Sequence, residues 1–86
     1  MMTLEELQHL AIGDLLQHSD KDTNQLWQVI SKPEYHAMSD GTAAVLQPND
    51  NYSRLNLACA KDNHIVKDHC LREHHLFCWT MISKAM

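Results

Sequence analysis

The chain has 86 residues, 44% of them apolar and 21% charged, with a formal net charge of −4 and a pI near 5.9. That balance excludes wholesale disorder and leaves room for one domain, residues 1–86. Seven Lys and Arg, scattered along the chain against eleven Asp and Glu, disfavour non-specific nucleic-acid binding, which needs a basic patch.

A domain of this size buries only about 60–65% of the surface that its unfolded form exposes. Its small stability margin makes a metal, a disulfide or a partner subunit useful. Three cysteines, an odd number, do not suggest a secreted disulfide framework. The acidic start MMTLEEL lacks the positive charge of a signal peptide. No apolar run approaches the roughly 18 residues of a membrane span. The expectation is a cytoplasmic protein with reduced thiols and no membrane contact.

In chain order, Thr3-Leu4-Glu5-Glu6 fits a capping box, and Leu4, Leu7, Leu10 and Ala11 follow at helical spacing. A helix within residues 1–11, ending before Gly13, is too short to stand alone and must lie as a lid on a sheet or barrel. The next stretch reads as a β-hairpin: strands at Ile12–His18 and Gln25–Ile30, joined by the polar loop Ser19–Asn24. Everything downstream is expected to add strands to this pair, with Trp27 largely buried. That acidic loop lacks the glycine and closing glutamate of a calcium loop, so it reads as a solvated turn.

Lys32-Pro33 ends the second strand, and Glu34–Asp40 reads as a connector to the turn Asp40-Gly41. Thr42–Gln47 is expected as a third strand and Pro48–Asn51 as a turn. Arg54–Cys59 alternates cleanly, with Leu55, Leu57 and Cys59 inward. Asp68 is positioned to cap a short helix, Asp68–His75, with Leu71 inward, and Leu76–Ile82 closes the chain as an apolar strand. The pattern is mainly β: five strands, a leading helix and a helical turn before the last strand.

The stretches IGDLLQH, QLWQVIS, DGTAAVLQ and FCWTMI, in this order, resemble the small SH3-like barrel proteins of bacteria, phages and mobile gene cassettes. The likeness covers residues 10–83 and rests on element order. It implies a five-stranded barrel over residues 12–83 of a bacterial or mobile-element protein, and no common activity.

Metal-capable side chains crowd the carboxyl-terminal third. On a helix, Cys70 and His74 would share a face, and Cys78 would approach them from the strand. Thiolate and imidazole are zinc ligands, so a small zinc-stabilised Cys/His domain is the alternative reading. No CxxC, HExxH or finger spacing accompanies them, and the leading expectation is no cofactor. Two glycines leave no phosphate loop or nucleophile elbow, and catalysis is not expected.

Tyr35, Tyr52 and Trp79 are the candidate contacts for a protein or peptide partner. Both the hairpin and the last strand carry apolar residues on two faces. One face can fill a core and the other calls for a cover, so a homodimer is expected. The reading is a non-catalytic binding or assembly module, with a nucleic-acid-binding barrel ranked third.

Overall fold

The computed structural model describes residues 1–20, 23–37 and 51–85. The expected strand Thr42–Gln47, the turn Asp40-Gly41, the turn Pro48–Asn51 apart from Asn51, and the hairpin-loop residues Lys21 and Asp22 lie outside them.

Helix α1, Leu4–Gln8, has the expected capping box: Thr3 Oγ1 accepts from Glu6 N at 3.1 Å, and Thr3 N donates to Glu6 Oε1 at 2.8 Å. Leu7 is the buried residue of its inner side, flanked by the buried Met2 before the helix and Leu10 after it. Met2 N donates to Trp79 O at 2.6 Å, fixing the helix as a lid over one end of the core.

The hairpin forms from β1, Leu15–Ser19, and β2, Asn24–Val29, paired antiparallel with Leu16 opposite Trp27. β3, Glu34–His36, and β4, Tyr52–Cys59, form the next antiparallel pair. The segment expected as a bare connector therefore starts with a strand. β2 and β3 lie end to end along one edge of β4, opposite Leu57–Cys59 and Tyr52–Arg54 respectively. Pro33 cannot donate to a ladder and breaks the line between them. Asn56 N is satisfied there by Ser31 Oγ at 2.8 Å. β4 buries alternate residues, Ser53, Leu55, Leu57 and Cys59, as its sequence predicts.

The other edge of β4 pairs with β5, Ile65–Arg72. The expected helix over Asp68–His75 is thus a strand to Arg72, because a long buried strand offers a full second ladder and tertiary pairing outweighs a local cap signal. Asp68 has φ of 56° at a bulge where Lys67 and Asp68 face Asn56, and its amide is held by Asn56 Oδ1 at 2.8 Å. Leu71 points inward as expected, 1% exposed. The helical turn comes later, as a 3-10 helix over Glu73–Cys78, and only then does β6, Trp79–Ser83, begin.

β6 returns antiparallel to β1, with His18 opposite Trp79 and Leu16 opposite Met81. The result is mainly β: one antiparallel sheet in the order β6-β1-β2-β4-β5, with β3 extending the β2 edge. That makes six strands among the described residues rather than five, in a sheet open between β5 and β6 rather than a closed barrel. No ladder joins β5 to β6 there; the 3-10 helix packs on both. The core lies inside the curve, built on Leu16, Val29, Leu55, Leu57, Leu71 and Leu76, with α1 at one end.

Candidate functional site

At the open side between β5 and β6 the core surfaces as a cleft. Trp79 is its floor, 5% exposed, with two imidazoles against it. The His18 ring lies 4.7 Å from the indole and the His69 ring 5.8 Å, both tilted by 59°. β1 and β6 bring His18 to Trp79 by direct pairing, and β5 brings His69 from the far side of the gap.

Two hollows meet at these three side chains. One, of about 240 Å³, is walled by Trp27, Leu57 and Val66, with Gln25 at its mouth. The other, of about 350 Å³, is walled by Cys70, Arg72, His75, Phe77 and Cys78. Trp27 is half-buried, since it faces the first hollow instead of the closed core as expected. Among the described residues no Asp or Glu lines either hollow. Among the described residues neither the His18 nor the His69 ring finds a hydrogen-bond partner. Burial, and then the nearby His18 and His75, lower the His69 pKa from its ordinary value.

The aromatic candidates are not brought together. Tyr35 and Tyr52 sit on paired strands at adjacent positions, so they face opposite ways. The Tyr35 hydroxyl accepts from Gln8 Nε2 at 3.3 Å, beneath α1. Tyr52 stacks on His36, with ring centroids 5.0 Å apart, and the Arg72 guanidinium lies 5.7 Å from its ring centre. Trp79 alone belongs to the cleft.

The zinc candidates lose their geometric premise. Cys70 is on β5 while His74 and Cys78 are on the 3-10 helix, so the one-face helical spacing does not exist. Among the described residues no group of three or more His, Cys, Asp or Glu side chains is arranged to hold a metal ion. All three thiols are free, and Cys59 is buried.

Sequence reasoning missed His18, His69 and Val66. His18 and Val66 look like ordinary residues until the register places them, and the cap signal at Asp68 predicts a helix through His69. The signal available was alternation: His18 falls two residues after the buried Leu16, on the same inward face.

A second feature is the outer surface of the sheet. Register places Leu15 and Gln17 outward on β1, Leu26 and Gln28 on β2, and Thr80 on β6. Ala58 and Ile65, paired across β4 and β5, continue this surface. None of these seven outward positions is charged. Ile65 is 50% exposed and Leu26 38%. Among the described residues, no helix is long and apolar enough to cross a membrane. Protein-family models, curated proteins and solved structures were all compared with the chain, and none matches it.

Proposed function

We propose that the chain is a non-catalytic binding and assembly module that pairs with a second copy of itself through the outer face of its sheet. The observation that carries this reading is that the seven outward positions from Leu15 to Ile65 carry uncharged side chains in a chain with a formal charge of −4, while the exposed Arg54–Asp68 pair marks the border of the patch. Two like-charged copies repel least where both present aliphatic and amide side chains, and a two-fold contact uses one patch twice. Leu26, Ile65 and their neighbours lose water there in both copies at once.

An SH3-like arrangement, left open between β5 and β6, is the architecture we assign to it. Its support is the strand order β6-β1-β2-β4-β5, with the last strand returning beside the first after a 3-10 turn. The short β3 then supplements a five-strand path. The cytoplasmic, bacterial or mobile-element setting follows from the sequence resemblance and composition alone.

Sedimentation equilibrium at micromolar concentration tests the assembly. A species of twice 9.9 kDa is expected, reduced to the single mass by Leu26→Glu. An interface of this kind needs roughly 1,200 Å² in total. A 9.9 kDa monomer at all concentrations would sink the reading.

A further inference from the structure

The inner hollow of the cleft lies on the side of the sheet away from the assembly face. Register turns its walls inward: Trp27 pairs with the buried Leu16, Val66 with the buried Leu57, and His69 with the buried Leu55. These side chains and the Trp79 floor enclose about 240 Å³. Two indoles and two aliphatic side chains make it apolar, and the His18 and His69 rings rest against the floor at 4.7 and 5.8 Å. Both imidazoles are half-buried, and among the described residues neither has a hydrogen-bond partner. Ring nitrogens left so in an apolar setting cost stability that a bound group could restore.

We propose that this hollow binds a small phenol, its ring against Trp27 and Trp79 and its hydroxyl shared between His18 and His69.

Charge, hydrogen-bonding capacity and shape each support that class. Burial, and then the nearby His18 and His75, lower the His69 pKa, which favours its neutral ring. A neutral imidazole carries one N–H donor and one bare nitrogen that accepts. Two such rings against one indole match a group that donates and accepts at a single atom. A hydroxyl does both, whereas a carboxylate, a ketone or an ether only accepts. A carboxylate would also have to give up its water for apolar walls. A phenol carries its hydroxyl on a flat π-system, which packs against indoles in offset or edge-to-face contacts. The volume suits one ring with a short substituent.

The chain has two tryptophans and both line this hollow, so their indole N–H resonances report directly on occupancy. The probes are 4-ethylphenol, its methyl ether 4-ethylanisole and the saturated 4-ethylcyclohexanol, titrated at about pH 7.5, where an ordinary imidazole is neutral. Saturable shifts of both indole signals are expected with the phenol. The ether keeps the ring and the acceptor but lacks the O–H, and should bind about fivefold weaker. The cyclohexanol keeps the hydroxyl but lacks the flat ring, and should also bind weaker. His69→Phe should bring the phenol down to the ether's affinity and leave the ether bound no more weakly, which shows that the hollow is still formed. His18→Phe should act in the same direction and decides the matter if His69→Phe loses spectral dispersion. Equal binding of phenol and ether, equal binding of phenol and cyclohexanol, unchanged phenol affinity in the folded variants, or no saturable shift of the two indoles would each overturn the proposal. A monomer in sedimentation leaves this test intact, because the probes address the other face.

Discussion

The two ends of the β1–β6 pair treat buried polar groups in opposite ways. At one end Asp14, fully buried, accepts from Ala11 N at 2.9 Å, Ala85 N at 2.7 Å and Lys84 Nζ at 2.6 Å. Lys84 also donates to His9 O, so one ammonium ties α1, the start of β1 and the end of β6. Three of the roughly four acceptor directions of that carboxylate are used, all by groups of the fold itself. At the other end, about three residues along the same ladder, His18 and His69 sit half-buried against Trp79 with no described partner. A satisfied polar group specifies the fold, and an unsatisfied one is available for recognition.

Leu16 lies between the two ends, fully buried. Leu16→Ala should cost about 3–5 kcal/mol and unfold much of the population, since small domains have little more than that to lose. Urea titration of the variant measures it. A loss under about 1 kcal/mol would mean that the two ends are held apart by something other than this core. Asp14→Ala comes next, at about 3 kcal/mol, because two backbone amides lose their acceptor in a dry site. The Lys84 side chain is 49% exposed and regains water, which limits its share. Asp14→Asn should recover part of the loss. His18→Ala, at the open end, should cost clearly less than Asp14→Ala; an equal cost would break the contrast.

Legibility in the sequence follows the same division. The capping box, the hairpin and the alternation of β4 were readable because each depends on neighbours a few residues apart. The β5 strand was not, because Asp68 carries a helix-cap signature locally and takes its conformation from Asn56 and Arg54 on the next strand. The last strand was placed three residues early, since LFC is as apolar as the strand it precedes. Tyr35, Tyr52 and Trp79 read alike as partner contacts in the sequence, and only the register separates Trp79 from the two tyrosines. His69 entered the site through a register no local pattern encodes.

Gly13 offers a smaller test of the closed end. Its φ of 97° is one that side chains rarely adopt, and an added Cβ would stand 3.2 Å from Ala85 Cβ. Gly13→Ala should therefore cost about 1–2 kcal/mol. It should also loosen the Asp14 contacts, seen as faster amide exchange at Ala11 and Ala85, while the Trp79 indole signal stays in place. Movement of the indole signal by the same amount would show that the two ends are one cooperative unit.

Acidification should separate the ends by pH, with the smallest effects. The His69 pKa is lowered by burial first and then by the charges of His18 and His75. Among the described residues, the charged groups acting on it are His18 from β1 and His75 from the 3-10 helix, neither of them an acid. Below the ordinary value of 6.5 the unfolded chain binds this proton and the folded chain resists it, so stability falls as pH drops from about 6.5 through the folded pKa. At Asp14, burial alone would raise the pKa, and hydrogen bonds from Lys84, Ala85 and Ala11 outweigh it, leaving the value below 3.8. That contribution is present above 3.8 and is lost as pH falls through the folded pKa. Two descending steps are expected in urea midpoints measured from about pH 8 to pH 3. His69→Gln should remove the upper step and keep the lower one. Asp14→Asn should do the reverse, with a remnant from Asp62, whose carboxylate accepts from His64 N at 3.0 Å and is also lowered. A profile flat through the upper window in the parent protein would mean that His69 takes up its proton as readily folded as unfolded. The open end would then be a groove as solvated as the unfolded chain around that imidazole.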